Sequence, residues 1–365
     1  MIDGIGKTSF DVVVVGGGPA GIGAAVASSR MGARTALVER FDVLGGMGTV
    51  GLVNNFCPAH LDHERLIIGG VFAELRRRLI ERRCIYASVG GDYRMEPYDP
   101  EVFAELSAAL CGEAGVVIMM TTEVSAVTFA DGRSAIVHAG AGLRLTAGVV
   151  VDATGDATVA ARAGAPYTFG RSRDRAVMPL TYCYEIGPID LDRLAAGLPE
   201  TVRQDPLTGE RSCVISNHPA TNVWVAEARA AGELTIPRDH IAAIQSVPGR
   251  PTNATVNFGR VFCNDPTDPH ELARAEAEGR MQMEEGVRFF RKYLPGFSRI
   301  EIRQSARRIG VRESRQIIGR IRTAATFGRS RPGPILTFRG GVSSPAAARR
   351  TSWWADAASR RRRKR

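Results

Sequence analysis

The sequence predicts an α/β protein whose first part is a parallel sheet wound with helices. Three stretches carry that expectation. Residues 11–15, DVVVV, are an apolar run of strand length, followed at once by a glycine turn and a helix-compatible segment. Residues 35–39, TALVE, give a second such strand after that helix. Residues 149–156, VVVDATGD, give a third strand that also ends in a glycine turn. Valine-rich strands alternating with helices read as a parallel sheet buried on both faces.

The first turn is the most informative. Gly16, Gly18 and Gly21 form G-x-G-x-x-G, with Pro19 and Ala20 opening the helix between them. Gly16 permits the tight turn, Gly18 lets the backbone approach a pyrophosphate, and Gly21 lets the helix pack on the strand. The free N–H groups and dipole of the helix N-terminus favour the phosphates. Glu39 ends the second strand 23 residues after Gly16, where a ribose-binding carboxylate is expected. Together these describe a Rossmann-type dinucleotide-binding motif, which by itself does not distinguish FAD from NAD(P).

The composition narrows the class further. At 365 residues and 44% hydrophobic, the chain can bury a core and predicts two domains. No apolar run is long enough to span a membrane. MIDGIGKTSF lacks a secretory apolar region, which predicts a cytoplasmic protein. The cysteines Cys57, Cys84, Cys111, Cys183, Cys213 and Cys263 are far apart and read as packing residues. The net charge of +10 sits in the tail: residues 324–365 hold eleven Lys/Arg and one acid, Asp356. The other 323 residues are electrically balanced, so the body gives no reason to expect nucleic acid.

Along the chain, residues 44–51, LGGMGTVG, form a glycine-rich turn, and a helix is predicted over 70–83. Asp99-Pro100 reads as an N-cap and first helical residue of a helix to about 112. Strands follow at 116–119 and 121–128, then a hairpin at Asp131-Gly132 leading into AIVHA and LRLTAG. After VVVDATGD a helix is expected over ATVAARAGA. From Pro166 the character changes: a strand over 178–187, a polar, turn-rich stretch over 199–222, a helix around 223–231 and a strand over 252–261. Asp268-Pro269 opens a helix to about Tyr293, with Glu271 placed to complete a capping box, and Leu294-Pro295-Gly296 stops it.

GGGPAG, the Glu39-Arg40 pair, LGGMGTVGLV and VVDATGD together resemble the FAD-dependent oxidoreductase family, in the group with a glutathione-reductase-like FAD domain. YDPEVF, AGAPYTFGR, VNFGRV with DPTDPHELARAEAEGR, YLPGF and GVRESRQIIG extend the resemblance over about residues 10–323. It implies a Rossmann-type FAD-binding domain over 1–165, rejoined by 301–323, and a mixed α+β substrate domain over 166–300. It also implies FAD as the cofactor. Gly16, Gly18 and Gly21 would meet the pyrophosphate, Glu39 the ribose, and Arg40 the adenosine. Gly45 and Gly46 would line the path of the pyrophosphate and ribityl chain, although a flexible loop also explains them. Val124 would offer its backbone to the adenine, or be a plain strand residue. Thr154, Gly155 and Asp156 would approach FAD, or form an ordinary turn with Asp156 as an N-cap.

The segment from 303 to 322 is rich in arginine. Arg307, Arg308, Arg312 and Arg315 are candidates for an anionic substrate or a negatively charged flavin ring; the alternative is a solvated helix face with Glu313 pairing locally. His60 and His63, near Cys57, suit a loop on the substrate side, with His60 the candidate acid/base, better than a metal site, for which supporting ligands are lacking. No metal is expected.

The family pattern returns to the FAD domain after GVRESR with a strand, a glycine, an acid and a helix. Residues 324–365 offer GPILTFRGG without such an acid, then Arg, Ala, Ser, Gly and Pro. This predicts a disordered basic tail, with the composition of an out-of-frame reading of a GC-rich gene. A basic extension for nucleic acid or membrane is the other reading. The expected activity is hydride transfer between FAD and a small organic substrate. An inactive remnant binding FAD weakly, and a flavoprotein acting on RNA, are the alternatives.

Overall fold

The structure is a computed structural model that describes residues 8–57, 66, 68–87, 95–129 and 135–319, and the backbone of 336–339. The chain begins with β1 (Ser9–Val15), α1 (Pro19–Arg30) and β2 (Thr35–Val38). A short pair, β3 (Asn55–Phe56) and β4 (Glu96–Pro97), brackets α2 (Gly70–Glu81). Then come α3 (Pro100–Glu113), β5 (Val117–Met119), β6 (Val124–Phe129), β7 (Ala135–Ala139) and β8 (Leu143–Asp152). Next are α4 (Thr158–Arg162), β9 (Tyr167–Phe169), β10 (Tyr184–Gly187), α5 (Leu191–Gly197), β11 (Val202–Gln204), β12 (Arg211–Ile215) and α6 (Pro219–Ala230). The described chain closes with β13 (Ala243–Val247), β14 (Arg250–Asn257), α7 (Pro269–Tyr293), β15 (Glu301–Ser305), β16 (Arg315–Ile317) and β17 (Leu336–Arg339).

The first sheet runs β5-β2-β1-β8-β7-β6, and β17 pairs with β8. Its β5, β2, β1 and β8 are mutually parallel, as the three strand-and-turn stretches predict. Alternation along β1 explains why its sequence is almost all valine. Val14 joins Leu37 and Val151 in a core under α1, α2 and α3, while Val13 and Val15 join Ala36, Val38 and Val150 on the other face, against β6 and β7. LRLTAG and VVVD are one strand, β8, rather than two. Its first half pairs antiparallel with β7 and it pairs parallel with β1 along most of its length.

The second sheet is antiparallel throughout, in the order β11-β12-β13-β14-β10-β15. Its core gathers Tyr184, Ile186 and Val256 against Phe289, Phe290 and Phe297. Three details depart from expectation. The turn-rich stretch over 199–222 contributes β11 and β12. The strand over 178–187 is regular only over β10. Residues 301–305, expected to rejoin the first sheet, form β15 on the edge of the second, where Tyr184 faces Ser305 and Glu185 faces Gln304. The chain meets the first unit only afterwards, where the Arg307 N–H donates to Val50 O at 2.7 Å.

Helix starts follow their caps. The Asp99 carboxylate accepts from Glu101 and Val102 N–H, and the Asp268 carboxylate from His270 and Glu271 N–H. The capping box at Glu271 does not form, because its carboxylate accepts the Asn264 N–H at 3.1 Å instead. In the basic tail, Leu336–Arg339 is a strand antiparallel to the end of β8, an element not expected there. Its Leu-Thr-Phe-Arg pattern has the alternation and β-propensity to add to an available edge. The hairpin at Asp131-Gly132 and the rest of the tail lie outside the described residues. Among the described residues no helix is long and apolar enough to cross a membrane.

Candidate functional site

The ends of β1, β2 and β8 meet where their three turns leave the sheet. Gly16 has φ +103°, and its N–H donates to Val38 O at 2.8 Å. A Cβ there would lie 2.4 Å from Ala153 O, and one on Gly21 would lie 1.8 Å from Gly16 O. Both glycines are therefore demanded by backbone packing between β1, α1 and β8. Gly18 differs: it is extended, and the nearest atom to its would-be Cβ is Gly46 Cα at 3.8 Å. Among the described residues nothing requires a glycine there, but a ligand lying on the helix end would. Pro19 and Ala20 are exposed at that end, and the first-turn N–H groups have no intrahelical acceptor.

Glu39 is buried, and its carboxylate bridges two turns. Oε2 accepts the Gly17 N–H at 2.6 Å and Oε1 the Phe41 N–H at 2.8 Å. The 44–51 turn is tied to the first one by Gly45 N–H donating to Gly17 O at 2.8 Å. Gly45 and Gly46 have φ of +110° and +55°. The turn is a defined structure rather than a flexible loop. It includes a single 3₁₀ turn, Gly46–Gly48, and the Thr49 hydroxyl bonds to Leu44 O and Gly46 O.

The third turn is organised by a residue that the sequence reading passed over. Asp152, buried at the end of β8, accepts from the Thr154 N–H at 3.0 Å, the Thr154 hydroxyl at 2.7 Å and the Ala160 N–H at 2.7 Å. The Thr154 hydroxyl in turn accepts the Thr158 N–H at 2.9 Å. The N-cap reading of Asp156 is thereby overturned: Asp152 and Thr154 hold the start of α4, and Asp156 accepts the Ser314 hydroxyl at 2.6 Å. Burial pushes the Asp156 carboxyl above its ordinary value, with the Ser314 bond and the Arg40 and Arg315 charges opposing. Gly155, φ +83°, has open space around its would-be Cβ.

A cleft of about 600 Å³ borders the second and third turns, and the glycines of the first turn do not line it. Arg40, Met47 and Thr154 to Asp156 line one side, and Arg308, Arg312, Ser314 and Arg315 another. Arg162 lines the end near Glu123. Its Nη1 donates to Val124 O at 2.7 Å and Ser125 O at 3.1 Å, so the Val124 carbonyl already has a partner.

The four candidate arginines separate by partner. Residues 306–314 are not helical, so the solvated helix face does not exist. Arg307 pairs with Asp42 and lies 5.6 Å over the Phe41 ring, outside the cleft. Arg308 pairs with Glu276 at 3.3 Å. Arg315 donates to the Thr267 hydroxyl at 2.9 Å and to Asp156 O at 3.3 Å. Arg312 is exposed and has no hydrogen bond or ion pair among the described residues. Among the described residues Glu313 does not pair with an arginine; it accepts the Met178 N–H and the Gln316 amide. His60 and His63 lie outside the described residues. No group that could hold a metal occurs among the described residues, and none of the six cysteines is in a disulfide.

Sequence reading missed Asp152, Arg162 and Ser314. Asp152 carried a signal, as an acid ending an apolar strand just before a glycine turn. The other two act through partners far away in the chain, which no local pattern marks.

The chain matches the model of the family described as FAD dependent oxidoreductase over residues 11–325. Among solved structures it is similar to p-nitrophenol 4-monooxygenase from Pseudomonas putida DLL-E4, at 14% identity and a TM-score of 0.50, covering 86% of this chain and 70% of that one. It also matches a geranylgeranyl bacteriochlorophyll reductase-like protein from Thermoplasma acidophilum, at 16% identity and a TM-score of 0.47, covering 86% and 68%. A third match is NikD, an unusual amino acid oxidase, at 16% identity and a TM-score of 0.39, covering 82% and 81%. At 14% identity the monooxygenase structure speaks for the fold alone, and the family match carries the assignment: the chain belongs to the FAD-dependent oxidoreductase family, and its cofactor is FAD.

Proposed function

We propose that the chain is a flavoprotein oxidoreductase acting on a small organic molecule, with the cofactor in the first unit and the substrate against the second. FAD, when bound, supplies hydride transfer at its flavin N5. The observation that carries the reading is the glycine turn that ends β1, set between the ends of β2 and β8, whose own following turns line a cleft; this is the crevice where open α/β sheets take nucleotides.

Each residue then has a task that its surroundings support. The first-turn N–H groups at Ala20 and Gly21, with the α1 dipole, receive the pyrophosphate. Gly18 and Gly46 keep side chains out of its path, and Gly45 turns the backbone toward it. Glu39 spends one lone pair on Gly17 and one on Phe41, leaving others for ribose hydroxyls. Arg40 lies beside the adenosine. Val124, with its carbonyl held by Arg162, lies beside the cleft where the adenine would rest. Thr154 and Gly155 offer a close, locked backbone.

The absorption spectrum of the full chain, reconstituted with FAD and desalted, tests this reading. Flavin bands that survive desalting and bleach with dithionite are expected. A colourless chain contradicts it.

A further inference from the structure

One face of the second unit carries arginines that the cofactor reading does not use. Two isolated antiparallel bridges hold the segment before β10 between its neighbours: Leu180 opposes Val261 and Thr181 opposes Gly310. Leu180, Val261 and Ile309 are fully buried in the core, and Val311 packs against it. Side-chain alternation therefore turns Arg260, Phe262, Thr181 and Arg312 to the opposite face. A Cβ on Gly310 would lie 4.0 Å from Val53, whose N–H donates to the cleft residue Met47. The face thus adjoins the cleft, and Arg312 lines both.

Arg238 converges on the same place. Its Nη1 donates to Asn257 Oδ1 at 3.1 Å and to Gly259 O at 3.3 Å, the carbonyl that also accepts the Thr181 hydroxyl at 3.2 Å. Its Nε is buried with no partner. Arg260 lies 5.8 Å over the Phe262 ring. None of the three is in an ion pair among the described residues. Burial first, then the charges of Arg260 and Arg312, pull the Arg238 guanidinium down to about 10, with Cys183 and Asp239 opposing. Beside them Phe262 is 61% exposed.

We propose that this face binds an organic anion, its charged group held by Arg238, Arg260 and Arg312 and its apolar body resting on Phe262. The proposal rests on the flavoprotein reading for its place beside the redox centre, and it names the substrate class: a small anion with an apolar or aromatic body. An inorganic anion would leave the exposed apolar rim unused. A neutral aromatic would leave three guanidiniums uncompensated.

The test titrates phenylacetate, its neutral counterpart phenylacetamide, and inorganic phosphate onto the FAD-loaded full chain by calorimetry, with the flavin spectrum recorded in parallel. Saturable phenylacetate binding is expected, with phenylacetamide and phosphate each weaker by roughly tenfold or more. Arg260→Gln should weaken phenylacetate roughly tenfold, with FAD content and thermal midpoint unchanged, and Arg260→Lys should restore part of the loss. Arg260→Gln combined with Arg312→Gln should abolish binding. Phenylacetamide or phosphate binding as tightly as phenylacetate overturns the proposal, as does an affinity that the double substitution leaves unchanged. The two readings fail separately. A chain that keeps flavin but ignores phenylacetate sinks the anion site, and one that binds phenylacetate but keeps no flavin sinks the cofactor reading.

Discussion

The Glu39 carboxylate accepts the Gly17 N–H at 2.6 Å, so the acid that ends β2 is fastened to the turn that opens α1. The same carboxylate accepts the Phe41 N–H at 2.8 Å. It is therefore a strut between two turns, and in the proposed reading it is also the acceptor offered to ribose hydroxyls. Glu39→Ala should weaken FAD binding by about 1–3 kcal/mol and also lower the thermal midpoint, because the Gly17 N–H loses its partner. Glu39→Gln keeps one acceptor oxygen and should recover most of the midpoint but little of the affinity. Flavin-fluorescence titration and a melting curve on each variant separate the two effects.

Gly18 and Gly21 should respond in opposite ways. A Cβ on Gly21 would collide with Gly16 O at 1.8 Å, so Gly21→Ala should cost about 1–3 kcal/mol of stability or prevent folding. A Cβ on Gly18 meets nothing closer than 3.8 Å, so Gly18→Ala should leave stability nearly unchanged while weakening FAD. Denaturant unfolding with a parallel FAD titration checks both. Equal destabilisation by the two substitutions would refute the assignment of Gly18 to the ligand.

Asp156 makes a pH prediction. Burial raises its carboxyl above the ordinary value of 3.8, so folding disfavours its charged form. That contribution favours the folded state below the ordinary value and is lost as the pH rises through the raised one. Asp156→Asn should therefore gain stability relative to the wild type at neutral pH, with the difference shrinking toward pH 3. The comparison keeps a partner for Ser314 on both sides. Unfolding free energies measured across that range decide it, and a difference that grows on acidification contradicts the sign.

Arg250 ties the second sheet to α3. Its Nη1 lies 2.9 Å from the Asp99 carboxylate that caps the helix, and its Nε 3.4 Å from Glu185, a carboxylate only 2% exposed. Glu185 also accepts from the Asn253 and Gln304 amides, each at 2.7 Å. Arg250→Met should cost about 1–3 kcal/mol, mostly by leaving Glu185 buried without a counter-ion. Adding Glu185→Gln should recover part of that loss, and a double-mutant cycle in denaturant measures the coupling.

What the sequence revealed and what it hid divide along physical lines. The β1 turn was legible because Gly16 and Gly21 answer to backbone clashes that only glycine avoids. Asp99 and Asp268 were legible because a cap bonds residues two and three positions on. β11 and β12 were hidden because short antiparallel strands take much of their stability from cross-strand partners distant in sequence. Glu271 looked like half of a capping box, and tertiary structure offered it the Asn264 N–H instead. The arginines of 303–322 could be counted but not sorted. Whether each meets Asp42, Glu276, Thr267 or no counter-charge depends on elements that pack against the segment from elsewhere.

Ligand retention by the full chain tests the central claim most directly. The chain is incubated in turn with FAD, FMN, NAD and NADP, desalted, denatured, and the released nucleotide identified and quantified. The account predicts a single FAD per chain and no retained FMN, NAD or NADP, with FAD lost from the Glu39→Ala variant. Retention of NAD or NADP in place of flavin would contradict it.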